Sequence, residues 1–259
     1  MAFVMIISLS VPVNAATIGN TAAEGDDEIT TDESRDVSDI KDGRNVRSEG
    51  ILGNGTETEP YEIRTAEDLK FVAEKVNAGD ASYNKAYYKL TDDINLNGSE
   101  GEQWIPIGTA SNKFMGTFDG NGYKITDMRA EATTSYSALF LATDGATLRN
   151  IQVSGVAKAS GYVAAIVSSA KNTTIKNCTA DVAITALQNY AGGIAAYIDG
   201  GTRITGCVSR GTINGADGVG GIVGALGVLP ENGRAAARRN NRIQGVLEHE
   251  HTVCHRQRQ

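Results

Sequence analysis

The sequence predicts an all-β fold, a parallel β-helix (a solenoid) whose coils repeat about every 28 residues, with an N-terminal capping α-helix. Three observations carry this. The first is an internal repeat: Thr147-Leu-Arg-Asn-Ile151, Thr174-Ile-Lys-Asn-Cys178 and Arg203-Ile-Thr-Gly-Cys207 put Leu148, Ile175 and Ile204 in one column, at spacings of 27 and 29 residues. Leu139, Ile166, Ile194 and Ile222 form a second column at spacings of 27, 28 and 28. The second is local: apolar residues recur at strand-like intervals (Ile151 and Val153, Ile222 and Val223), and no 3.6-residue period long enough for a helix recurs with them. The third is composition. Thirty Gly against four Pro, with one Trp and five Phe in 259 residues, excludes collagen-like, mucin-like and coiled-coil chains and favours a core of small and aliphatic side chains. Units of this length bury their apolar side only by stacking on one another.

Taken in order, Ala2–Val13 is an uncharged apolar run followed by Val13-Asn14-Ala15, so residues 1–15 read as a signal peptide. Residues 16–50 carry ten Asp and Glu, four Lys and Arg and no aromatic residue, which predicts an acidic disordered linker. Residues 51–130 form the N-terminal cap and first strands. Thr65-Ala-Glu-Asp68 resembles a capping box, and Ala66, Leu69, Val72, Ala73 and Val76 mark one face of a helix over residues 65–77, ending near Gly79. A helix placed there covers the exposed edge of the first coil. Strands are expected at Tyr87–Leu90, Ile94–Leu96 and Trp104–Ile107, with Asp119-Gly-Asn-Gly122 a tight turn before Tyr123–Ile125.

Residues 131–228 hold the repeats, with three short strands expected per coil. Asn150, Asn177 and Gly206 share a position, and Asp127 joins them if Ile125-Thr-Asp-Met128 is an earlier copy. These residue types tolerate left-handed backbone and so mark a corner. The leucine-rich repeat competes weakly, because Val156 and Ala183 stand where its Asn ladder belongs. Cys178 and Cys207 occupy equivalent places in successive coils. A disulfide is sterically open to them, but a ladder of buried thiols is the preferred reading. Residues 229–259 break the pattern, with six Arg against three Glu in an otherwise acidic chain, and read as a disordered or out-of-frame tail.

Candidate chemistry is sparse. Every His lies in that tail, where His249, His251, Cys254 and His255 make a low-grade metal site; Thr252 occupies the place of the zincin general base, so metalloprotease chemistry is excluded. Without a His before residue 249, no Ser/His/Asp or Cys/His set is available in the repeats. Asp93-x-Asn-x-Asn97-Gly98 opens like a calcium loop, but its twelfth position is Trp104. Asp119, Lys124, Asp127 and Arg129 form the single compact set that could serve a sugar-cleaving site, and turn and surface roles explain them better than catalysis. No cofactor is implied. The net charge of −7 argues against nucleic acid as a partner.

Several pieces together resemble bacterial surface proteins carrying the GLUG motif, a short Gly-aliphatic-aliphatic-Gly repeat also found in the amino-terminal regions of some immunoglobulin A peptidases. They are Gly53-Asn-Gly-Thr56 with Pro60-Tyr-Glu-Ile63, the Thr65–Val76 helix, Tyr88-Lys-Leu-Thr-Asp-Asp-Ile94, Trp104-Ile-Pro-Ile-Gly108, Phe114–Gly122 and Gly221-Ile-Val-Gly224. The resemblance implies a right-handed β-helix in a secreted or wall-associated bacterial protein, often one part of a much longer chain. The motif itself carries no catalytic residue. The expected function is therefore a non-catalytic structural or adhesion module that contacts host or cell-wall glycan or protein and is not an integral membrane protein after signal cleavage. The alternatives are a polysaccharide-active β-helix, lyase or hydrolase, and the non-catalytic N-terminal region of a surface metallopeptidase.

Overall fold

The computed structural model describes residues 50–98, 102–132 and 135–227, and the backbone of the short strands Pro230–Glu231, Arg234–Ala235, Arg242–Gln244, Leu247–Glu248 and Val253–Arg256. The segment read as a signal peptide, the expected linker up to residue 49 and the side chains of His249, His251, Cys254 and His255 lie outside the described residues.

The chain winds into a parallel β-solenoid of about six turns. A coil crosses four sheets in order, illustrated by Thr147–Arg149 in sheet I, Gln152–Ala159 in sheet II, Tyr162–Ala164 in sheet III and Val167–Lys171 in sheet IV. Four strands per coil, rather than the three expected, arise because the chain bends between sheets III and IV. Small residues occupy the bend, Ala164 in one coil and Gly192 and Gly220 in the next two; at the glycines the chain closes further, so that a Cβ on Gly192 would lie 2.0 Å from the Ala195 carbonyl oxygen and one on Gly220 would lie 2.1 Å from that of Val223. Beyond Gly227, Arg242–Gln244 pairs with Arg203–Thr205 in sheet I, and Val253–Arg256 pairs with Thr212–Gly215 in sheet II.

The register places equivalent residues on successive rungs, so apolar side chains stack without offset. In sheet I, Tyr61, Tyr88, Phe118, Leu148, Ile175 and Ile204 form one buried ladder. It changes character along its length. The first coils are filled by rings in contact, with Tyr61 stacked on Tyr83 at 5.2 Å and Phe118 edge-on to Phe140 at 5.4 Å, whereas later coils are filled by Ile, Val and Ala. Burying each large side chain contributes about 1.5–3 kcal/mol. Leu139, Ile166, Ile194 and Ile222 are likewise buried, at the bend between sheets III and IV.

The helix runs over Ala66–Asn77 (α1), and its capping box is complete. Thr65 Oγ1 accepts from the Asp68 N–H, and the Asp68 carboxylate accepts from the Thr65 N–H. Leu69, Val72, Ala73 and Val76 are buried, and Gly79 takes φ +82° just past the C-cap. The helix connects two neighbouring strands of sheet I, Tyr61–Ile63 and Tyr87–Leu90, so it replaces sheets II to IV in the first turn.

Two further sequence expectations need correction. Trp104–Ile107 forms no strand; a single bridge joins Ile107 to Phe140, and Pro106, which has no N–H to donate, interrupts the segment. Asp127 is left-handed, with φ +52°, but it does not share the corner of Asn150 (φ +54°) and Asn177 (φ +53°). Phe118, not Ile125, pairs with Leu148, so that coil turns its corner at Gly120-Asn121-Gly122 while Asp127 sits in a register shift inside sheet II. The two cysteines are free and buried, and the Cys178 N–H points at Cys207 Sγ over 3.4 Å. Burial pushes the Cys178 thiol well above its ordinary pKa.

Candidate functional site

The four residues singled out for chemistry are held by different parts of the coil. Asp119 ends the Thr117–Asp119 strand, and its carboxylate accepts three hydrogen bonds at 2.8 Å, from Arg149 Nε, Asn150 Nδ2 and the Asn121 N–H. Burial pushes this carboxyl upward, but the hydrogen bonds from Asn150 and Asn121 and the Arg149 charge outweigh it, leaving the group below the usual aspartate range. It ties its own corner to that of the next coil. The Asp127 carbonyl accepts from the Gly98 N–H at 2.9 Å. Arg129 Nη2 lies 3.1 Å from Glu131 Oε1, and the Arg129 carbonyl accepts from the Trp104 N–H at 2.7 Å. Lys124 is exposed, and its N–H donates to Asp93 Oδ1 at 2.8 Å, which places Asp93 in the frame of the turn.

Surface relief separates these residues further. Arg129 lines a depression of about 180 Å³ beside α1, together with Lys70, Glu102, Gln103 and Trp104. Lys124 lines a larger one of about 300 Å³ on the outer face of sheet II. Neither aspartate lines either depression.

The sheet II groove is built by the repeat. Lys124, Gln152 and Thr179 pair in register across three successive strands, and Ser154, Asp181 and Arg210 pair two residues further along. Strand alternation sends Ile125, Val153 and Ala180, which lie between these two rows, into the core and leaves the polar rows outside. Two cationic heads and one carboxylate therefore border a surface otherwise lined by Gln, Ser and Thr, with Ile125 and Val153 at its floor. Among the described residues, Lys124 Nζ, the Asp181 carboxylate and the Arg210 guanidinium have no intramolecular hydrogen-bond or ion-pair partner. Gln152, Ser154, Thr179, Asp181 and Arg210 were not singled out from sequence. A signal was present: each lies four or six residues after Leu148, Ile175 or Ile204, so the apolar column also registers the outer rows.

A second surface feature is aromatic. Tyr136 and Tyr162 open successive strands of sheet III and Tyr190 immediately precedes the next, with rings 5.1 and 5.3 Å apart, and Tyr197 packs beside them. Tyr162 and Tyr190 cover a separate small apolar cluster of Ala138, Ala164 and Ala196. Much of their ring area is engaged in this packing, which gives the row a structural role.

No family model matches the chain. Among curated proteins, one from Evansella cellulosilytica assigned as a Gly-rich membrane protein is 33% identical over 108 residues, covering 40% of this chain and 12% of that protein. Halomucin from Haloquadratum walsbyi is 26% identical over 213 residues, covering 81% of this chain and 2% of the relative. The chain thus spans a small fraction of either relative. A crystal structure from Bacteroides ovatus, assigned as an immunoglobulin A1 protease, aligns at a TM-score of 0.47 and 21% identity, over 68% of this chain and 64% of that one.

Proposed function

We propose that the chain is a non-catalytic β-solenoid module of a secreted or cell-surface bacterial protein, and that it serves adhesion by extended contact with glycan or protein. The observation that carries this reading is the division of labour among its charged side chains. Asp119, the carboxylate with the most defined surroundings, is occupied at a corner by three donors, while Lys124 Nζ, the Asp181 carboxylate and the Arg210 guanidinium face outward on sheet II with no intramolecular partner among the described residues. A ladder surface of this kind suits a repetitive ligand. The likeness to short stretches of much longer proteins, one of them assigned as a membrane protein, supports a module within a surface protein.

The test is to immobilise the full chain against a panel of host and cell-wall glycans and proteins, and in parallel to assay polysaccharide cleavage by the wild type and by Asp119→Asn/Asp127→Asn. Saturable binding without cleavage is expected. Cleavage that disappears in the folded double variant would overturn the proposal in favour of a polysaccharide-active enzyme.

A further inference from the structure

The sheet II groove has a chemistry narrow enough to name a ligand class, an inference that rests on the adhesion reading above. We infer that the groove takes a linear polyuronate, a polysaccharide with a carboxylate on every sugar, laid along the stack of coils.

The first argument is periodicity. Neighbouring coils advance by about 4.8 Å, and a pyranose unit advances its chain by a length close to that step. A sugar chain along the groove therefore meets an equivalent protein position at each residue, which lets many weak contacts accumulate.

The second argument is charge. Lys124 and Arg210 mark the two ends of the groove, and their heads have no intramolecular partner among the described residues. The groove lining holds two cations and one carboxylate, with the Asp93 carboxylate held at its rim by the Lys124 N–H, on a chain whose net charge is −7, so the groove is less acidic than the chain as a whole and keeps two cationic heads free for an anionic ligand. Between the ends, Gln152, Ser154 and Thr179 offer hydrogen-bond donors and acceptors, and Asp181 can only accept. Sugar hydroxyls donate to such a carboxylate. An acidic peptide has fewer donors to offer Asp181, and its main chain would lie over the face of a sheet, where no unpaired strand edge is available to it.

The third argument is parity. From the coil of Lys124 to that of Arg210 there are three steps, through the coils of Gln152 and Thr179, or about 14 Å along the axis. A chain with a carboxylate on every sugar places one at both ends of a three-step interval. A chain alternating a uronate with a neutral aminosugar places its carboxylates an even number of steps apart and reaches only one cation at a time.

Calorimetric titration of the full chain with a galacturonate hexamer tests this, with a neutral malto-hexamer, an alternating uronate–aminosugar hexamer and poly-glutamate as comparators. The galacturonate hexamer should bind most tightly and weaken as salt rises from about 50 to 200 mM. Lys124→Gln/Arg210→Gln should lose about tenfold in affinity with an unchanged melting temperature, the sum of two exposed charge pairs. Equal binding of the neutral hexamer overturns the charge assignment, equal binding of the alternating hexamer overturns the parity argument, and equal binding of poly-glutamate overturns the glycan. Unchanged affinity in the double variant places the site elsewhere. If the galacturonate hexamer fails to bind while the panel of the preceding section gives a ligand, this inference falls and the adhesion reading stands; if both are blank, both fall.

Discussion

At the scale of single residues, position in the coil decides what a charged group does. Asp119 and Asp181 are both aspartates on strands of one solenoid, yet the first is tied by three hydrogen bonds and the second faces outward without a partner. Asp119 gives a pH prediction whose sign follows from its lowered pKa. A carboxyl depressed in the folded state contributes stability that is fully present above its unfolded pKa, about 3.9, and is lost as pH falls through the folded value. Asp119→Asn should therefore be less stable than the wild type at pH 7 by about 1–2 kcal/mol, with the difference shrinking below about pH 4. Urea melts at pH 7 and pH 3 measure it; a difference independent of pH would mean that the charge at Asp119 contributes nothing.

At the scale of strands and turns, glycine sets where one coil fits against the next. Gly155 takes φ +140° inside sheet II, and a Cβ there would lie 2.0 Å from the Met128 carbonyl oxygen. Gly145 also has positive φ, +73°, but nothing stands within 4 Å of its missing Cβ. Gly155→Ala should cost about 3 kcal/mol or more, combining backbone strain with a clash against main chain, while Gly145→Ala should cost about 1 kcal/mol. Thermal melts of the two variants compare them directly, and similar losses would show that the close approach at Gly155 relaxes easily.

The same scale shows why part of the fold was legible in sequence and part was not. Leu148, Ile175 and Ile204 announced their column because ladder stacking demands one apolar residue per coil, and Asn150 and Asn177 announced the corner because few residues accept left-handed backbone. Asp127 misled because it also accepts that backbone, at a register shift that a fixed period cannot reveal. The groove escaped because outward positions obey no apolar rule: Lys124, Gln152 and Thr179 differ in kind although they are equivalent in place.

At the scale of the whole molecule, the repeat makes the interior of the stack reachable only by separating coils. Cys178 and Cys207 lie in that interior, both at 0% exposure. In a Cys254→Ser background the two thiols should resist a thiol-specific reagent in the native protein and both react once the stack is unfolded in denaturant. Their labelling rate should follow the unfolding transition. Fast labelling under native conditions would mean that the later coils open locally, and an absence of free thiols in the denatured, unreduced protein would restore the disulfide.

The crossover from aromatic to aliphatic filling also has an optical consequence. The sole tryptophan, Trp104, is anchored beside α1 by a hydrogen bond of 3.1 Å from its Nε1 to the Leu139 carbonyl, so its emission reports on the helix-covered coils. Near-ultraviolet tyrosine dichroism reads both stretches, the stacked Tyr61 and Tyr83 of the first coils and the row from Tyr136 to Tyr190, so the row's own signal is the difference between the wild type and a variant with Tyr136, Tyr162 and Tyr190 replaced by Phe. Tryptophan emission and that difference signal thus view two stretches of one stack. Coincident melts at both would describe a single cooperative body, and displaced melts would describe a molecule that frays from one side, with no label added to either end.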